Sequence, residues 1–304
     1  MTKPQAGRDW TAHAQFFEYT QAADPPVPAV PYDVFPASRH AHGPSAVLPW
    51  DLSAALRCPW PATSPGLLAN FVRLAPGSGV RTSPRASSQI FYVISGAGRS
   101  RIDQEELSWQ AGDLFTLSAP GVAEHAASQD SVLYCVHDEP LLRYLGASPS
   151  EARFTPTLYT RERLLAEVAK VRAQPGAQRR NRMGVIMGNS DTAQTMTVTH
   201  TMWSLLNVLP PGAVQKPHRH NSVALDLCIS APAGVYTLIS REIGADGSLV
   251  NPQRAQWSAG SAFVTPPGWW HSHHNESDAE AFVLPIQDAG FHTWMRTLDI
   301  RFAK

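Results

Sequence analysis

Cysteine is scarce in this sequence, and the three present (Cys58, Cys135 and Cys228) are scattered and odd in number. That excludes a disulfide framework and a cysteine-rich metal site, and it leaves them as small buried apolar residues. Long apolar runs are also missing. The opening stretch MTKPQAGRDWTAHAQFF has no core for a signal peptide, and nothing elsewhere approaches the roughly 20 apolar residues of a membrane span. A cytoplasmic protein with no membrane partner is expected. Charge of either sign is absent in excess: 25 Lys and Arg balance 25 Asp and Glu, with no basic run. The footprint of a nucleic-acid binder is therefore lacking, and a small-molecule partner is expected. Nor is there a Gly-rich dinucleotide fingerprint.

What is there is a chain of 304 residues, 43% hydrophobic, with 26 prolines. It is long enough for one large domain or two ordinary ones, and its prolines favour turns over long helices. Residues 1–60 are rich in Pro and Ala without sustained period and read as an extended arm. From residue 61 to 150 come short β-branched and aromatic runs punctuated by Gly (LLANFVRLAPGSG, SQIFYVISGAGRSRID, ELSWQAGDLFTLSAPG, SVLYCVHDE), the pattern of an antiparallel barrel or sandwich. Residues 151–190 form a linker. In it Leu164, Leu165, Val168 and Val171 recur at helical spacing after Thr160 as N-cap, and Pro175-Gly176 ends the helix. A second β-rich block, 191–304, begins with TAQTMTVTHTMWSLLNVLPPG and continues through SVALDLCIS, GVYTLISRE, SAFVTPPG and AFVLPIQD. The two blocks share a layout, which implies duplication of one small barrel.

In a strand, residues i and i+2 face the same side. His218 and His220 therefore point together into the second barrel, and His271, at the end of SAFVTPPGWWH, can join them when the strands form one sheet. Three neutral imidazoles suit Zn, Cu, Fe or Ni and leave coordination positions open. His273 faces the same side as His271, and His274 faces outward. His200 and His292 read as ordinary packed or surface histidines.

These residues resemble the cupin family. Gly212-AVQKP-His218-x-His220 is similar to the first cupin motif, and Gly260-SAFVT-Pro266-x-Gly268-xx-His271-xxx-Asn275 to the second. The resemblance implies an all-β bicupin: two double-stranded β-helix (jelly-roll) barrels with a linker helix and an N-terminal arm. Where cupins often carry a Glu ligand, Ala224 and Leu225 stand here, which implies a three-His site. On the first block the same template reads Gly77-SGVRT-Ser83-x-Arg85, Gln89 and Gly96, then Gly112-DLFTL-Ser118, and His125 is reached only with an insertion. Ser and Arg do not replace imidazoles as ligands. The first barrel is therefore expected to bind no metal and to serve packing or oligomer contacts.

From Arg182 to Asn275 the chain is most similar to the gentisate, salicylate and 1-hydroxy-2-naphthoate dioxygenases. That resemblance implies Fe(II) on His218, His220 and His271, a homo-oligomer, and O2-dependent ring cleavage of an ortho-hydroxylated or amino-substituted aromatic acid. The cut falls between the carboxyl- and hydroxyl-bearing carbons. The family's metal-bearing barrel is usually the N-terminal one, whereas here it is the C-terminal copy. By position Arg182 matches an arginine that holds the substrate carboxylate, Trp203 a pocket wall, and His273 a histidine near the substrate hydroxyl, acting as base or hydrogen-bond donor. Bland alternatives are an exposed Arg in the cluster 179–182, a core Trp and an orienting His. Asp226 stands where the family usually has an arginine, so it either meets a donor group on the substrate or pairs with an internal Arg. Two other readings compete with ring cleavage: a metal-dependent isomerase or lyase on a sugar or keto acid, and a non-catalytic ligand-binding bicupin.

Overall fold

The computed structural model describes residues 8–303; the first residues of the expected arm lie outside this range. Two antiparallel barrels account for almost every strand. In the first, a six-stranded sheet runs in the order 157–159, 114–118, 88–95, 131–137, 68–74, 46–49, facing a four-stranded sheet 78–82, 123–127, 97–102, 105–110. In the second, the order 34–35, 262–265, 224–230, 281–287, 203–209, 183–186 faces a five-stranded sheet 253–256, 235–240, 270–275, 214–220, 300–302.

The two six-stranded sheets pack back to back. One apolar cluster joins Phe71, Ile90 and Tyr134 of the first barrel to Leu206, Leu225 and Ile286 of the second, while each barrel has its own interior cluster. These sheets are buried on both faces, which is why strands such as Leu68–Leu74 read as continuous apolar runs rather than alternating ones.

The arm differs from a segment lying on a neighbouring surface. Val34–Phe35 adds an edge strand to the second barrel and Ala46–Pro49 one to the first. Phe35 stacks on Phe71 at 4.3 Å between ring centroids, so the arm stitches the barrels together. The linker is similarly shared: Thr157–Tyr159 joins the first barrel and Met183–Ile186 the second, flanking the helix Arg161–Arg172 capped by Thr160 Oγ1. The run 191–202, expected as part of a strand, is turns instead. Thr192 Oγ1 and Thr195 Oγ1 donate to nearby backbone carbonyls there, offering the chain local partners in place of a ladder. The strand starts only at Trp203.

Candidate metal centre

The strands Val214–His220 and Trp270–Asn275 are antiparallel neighbours, pairing Gln215 with His273 and His218 with His271. Three steps on one strand thus span two on the other, a bulge occupied by Lys216 and Pro217, and Pro217 has no N–H to lose from the ladder. The bulge restores parity, so Gln215, His218 and His220 all face inward. A turn, Pro266-Pro267-Gly268, aims the second strand. Gly268 adopts φ 78°, a left-handed conformation suited to glycine, and its N–H donates to His220 O at 2.7 Å. One ligand nitrogen from each of His218, His220 and His271 lies within 4.8 Å of the others, and all three rings are buried.

The tautomers follow from the partners. His220 Nδ1 donates to Ser222 O at 2.8 Å and His271 Nδ1 to Trp269 O at 3.1 Å, which leaves both Nε2 atoms as lone-pair donors. His220 Nε2 is buried without any hydrogen-bond partner. Burial pushes His220 down to about 4 and holds His218 and His271 well below the ordinary histidine range, helped at His218 by the Arg182 charge. All three are neutral at pH 7, as metal ligation demands. An orphaned lone pair, two tautomers locked by backbone carbonyls and a convergent neutral donor set fit a divalent metal.

Arg182 enters the same mouth from the strand edge at Met183. Its Nη2 lies 2.5 Å from His218 Nε2 and 3.2 Å from His273 Nε2. Burial lowers its pKa to about 10, with Asp226 pulling the other way, so it stays a cation. Sequence reasoning missed the pair behind His273. Trp257 Nε1 donates to Thr237 Oγ1 at 2.8 Å, and Thr237 in turn lies 2.7 Å from His273 Nδ1. Arg182 can only donate, so His273 Nε2 accepts from it, and His273 Nδ1 carries the hydrogen and donates to Thr237 Oγ1, whose second lone pair remains after Trp257. Arg182 thus donates to both His218 Nε2 and His273 Nε2, a cation held at the mouth where a carboxylate would draw it. Thr and Trp are ordinary strand residues. The signal available in the sequence was parity alone, which puts Thr237 on the inward face.

Trp203 opens its strand opposite Gln287, and its indole Nε1 is buried without a partner. Asp226 is buried in the same barrel and accepts from Thr265 Oγ1 at 2.7 Å. Burial raises its pKa to about 6, opposed by that hydrogen bond and by the Arg182 charge. Ala224, at the position of the common cupin carboxylate, faces Thr265 and Gln287. His274 lies on the outer face, stacked on Tyr236 at 4.8 Å.

In the first barrel Thr82 pairs with Ala123 where His218 pairs with His271, and Val80 pairs with His125 where Gln215 pairs with His273. His125 is thus the counterpart of His273, not of a ligand. Among the described residues the second barrel holds the one His/Cys/Asp/Glu group with metal-ligand spacing.

The structure of salicylate 1,2-dioxygenase from Pseudoaminobacter salicylatoxidans in adducts with gentisate superposes with a TM-score of 0.71 over 93% of this chain and 88% of that one, at 13% identity. The chain has a bicupin fold. A structure of oxalate decarboxylase matches the same fold at a TM-score of 0.56, covering 83% of the chain. In sequence, the bicupin is 30% identical over 95 residues to 5-aminosalicylate 1,2-dioxygenase of a Comamonas species and 31% identical over 80 residues to gentisate 1,2 dioxygenase 1 of Aquipseudomonas alcaligenes. It is 32% identical over 102 residues to a 1-hydroxy-2-naphthoate 1,2-dioxygenase of a Nocardioides species. The matched stretches span 25%, 23% and 26% of these relatives' lengths and 31%, 26% and 28% of this bicupin. No protein-family model matches. No helix among the described residues is long and apolar enough to cross a membrane.

Proposed function

We propose that the second barrel is a mononuclear Fe(II) ring-cleaving dioxygenase site for an ortho-hydroxylated or amino-substituted aromatic carboxylate. The observation that carries this reading is the convergence, in one buried mouth, of three neutral imidazoles at metal-ligand spacing with the Arg182 guanidinium, which reaches His218 and His273. Relatives named for salicylate and gentisate cleavage support it. His218, His220 and His271 would hold the iron, which when bound supplies an electron-poor centre for anionic substrate oxygens and the redox chemistry that lets dioxygen react with the ring.

The chain's own residues do the rest. Arg182 binds the substrate carboxylate through its guanidinium fork. His273, neutral and held through Nδ1 by Thr237, presents its Nε2 lone pair to the substrate hydroxyl and so acts as acceptor or base. Trp203 walls the ring. One carbon–carbon bond breaks, between the carboxyl- and hydroxyl-bearing carbons, and both atoms of dioxygen enter the product with the ring supplying the electrons. Asp226 selects the substituent: a carboxyl near neutrality and close to Arg182 favours an amino or hydroxyl donor over a nitro group.

Anaerobic Fe(II) loading followed by oxygen-electrode assays with salicylate, gentisate, 5-aminosalicylate, 5-nitrosalicylate and 1-hydroxy-2-naphthoate tests the reading. One O2 consumed per substrate lost, abolished in a folded His218→Ala variant, is expected. Absence of oxygen uptake with the whole panel in iron-loaded protein overturns it. Asp226→Arg is expected to reverse the order of 5-aminosalicylate and 5-nitrosalicylate, and an unchanged order removes Asp226 from specificity.

The same reading includes a cytoplasmic homo-oligomer. The arm leaves Trp10, Phe16, Phe17 and Tyr19 at 82%, 93%, 72% and 86% exposure, apolar surface that a neighbouring subunit would cover.

A further inference from the structure

The strand that carries His218 and His220 is not the last in its sheet. Ile300–Phe302 pairs along its outer edge, with Phe302 opposite His218, Arg301 opposite Arg219 and Ile300 opposite His220. Residues paired in an antiparallel ladder share a face, so Ile300 and Phe302 point inward with the two histidines, and Arg301 points outward with Arg219. The Phe302 ring stacks on that of His218, 5.8 Å between centroids and 20° between planes. Both ends of this short strand are pinned. The Asn221 N–H donates to Asp299 O at 3.1 Å and the Asp299 N–H to Asn221 Oδ1 at 2.9 Å, while the Ala303 N–H donates to Pro217 O at 2.8 Å. The strand is therefore a fixed wall.

Topology brings that wall to Arg182. Strands 203–209 and 214–220 follow each other through the short turn 210–213, one in each sheet, and 183–186 and 300–302 are their respective outer neighbours. The two edges border the same side of the barrel, so Arg182, just before 183–186, and Phe302 reach His218 from opposite sheets. Phe302 is nonetheless 57% exposed. A large apolar ring left open beside a cation and a set of metal-ligating imidazoles is a combination that an aromatic carboxylate completes, with its charge on the guanidinium and its ring against the phenyl face. The first barrel supplies the contrast. Its four-stranded sheet ends at 78–82, and Thr82 stands there where His218 stands in the second, so among the described residues the added strand occurs only beside the ligands.

We propose that Ile300 and Phe302 form an apolar wall of the substrate site, and that Phe302 is the residue that selects aromatic over aliphatic hydroxy acids. This rests on the reading of the second barrel as a site for an aromatic acid. It adds a wall on the ligand sheet to the one that Trp203 supplies from the other sheet.

Anaerobic titration calorimetry of the full-length, Fe(II)-loaded protein with salicylate and with glycolate tests it, since glycolate carries the same carboxylate and hydroxyl without a ring. In Phe302→Ala the affinity for salicylate is expected to fall about tenfold, the loss of one buried phenyl contact, while that for glycolate and the bound iron stay at wild-type level. Phe302→Leu, which keeps an apolar side chain on the strand, is expected to lose about threefold for salicylate alone, and it decides the matter should Phe302→Ala fail to fold or to hold iron. The proposal is overturned if both ligands weaken equally, which would make the strand a support for His218 only. It is equally overturned if salicylate binds the variants as tightly as it binds wild type, or binds wild type no more tightly than glycolate does. Salicylate binding that depends on Phe302 but is followed by no oxygen uptake on admission of air supports the wall and counts against ring cleavage alone.

Discussion

His273 shows how a single residue's role depends on atoms two bonds away from the chemistry. A histidine beside a metal site can accept or donate, and Thr237, by taking the Nδ1 hydrogen, leaves His273 Nε2 as the acceptor facing Arg182. Thr237→Val keeps the shape and removes the lock. Turnover of the iron-loaded enzyme is expected to fall about 10- to 100-fold while bound iron, measured by mass spectrometry, stays at wild-type level; an equal loss of iron would make Thr237 a structural residue only. Arg182 is the cation of the mouth, and Arg182→Ala is expected to raise KM for aromatic carboxylates by tenfold or more. An unchanged KM for every substrate would show that the carboxylate lies elsewhere.

At the scale of the element, the His218 strand is shaped by its bulge. His218 and His220 share a face by simple alternation, and that much was legible in the sequence. The bulge at Lys216–Pro217 was not, because it exists only against the partner strand, where it brings Gln215 onto the same face. Gln215 then exchanges side-chain hydrogen bonds with Asn207, tying the two sheets at the barrel floor. Deleting Lys216 removes the extra residue and leaves Gln215 and His218 two positions apart in a regular strand, still on one face. Metal binding by titration calorimetry is expected to persist in that variant, and its loss would mean that the histidine geometry relies on the bulge itself. The turns at 191–202 went unread for a related reason. Alternating Thr residues look like a strand, yet each hydroxyl can bond to its own backbone instead.

Across the whole molecule, the buried histidines make the fold sensitive to acid. In the metal-free protein His125, His137 and His220 are held at about 4, and His218, His271 and His273 lie well below their ordinary range. The unfolded chain takes up protons near pH 6.5 and the folded chain does not, so stability falls as pH drops from there toward 4. Asp226 and Asp288, raised to about 6 and about 7 by burial, act in the opposite direction, since the folded state holds their protons where the unfolded chain has released them. Six groups outweigh two. The urea midpoint of the metal-free protein is expected to be lower at pH 5 than at pH 7.5, and the reverse order would mean that the carboxyls dominate.

The sequence by itself determined the duplication, the linker helix with its Thr160 cap, and the trio His218, His220 and His271. These rest on local period, capping and motif spacing, which a single strand or helix expresses without its neighbours. Only the tertiary structure decided that the arm and linker lend strands to both barrels, because an edge strand as short as Val34–Phe35 has no pattern until a partner pairs with it. The tertiary structure also decided the tautomers of His220, His271 and His273, and it identified His125 as the echo of His273 rather than of a ligand. A hydrogen's position on an imidazole is set by what lies on the ring's other side, and those partners come from distant parts of the chain.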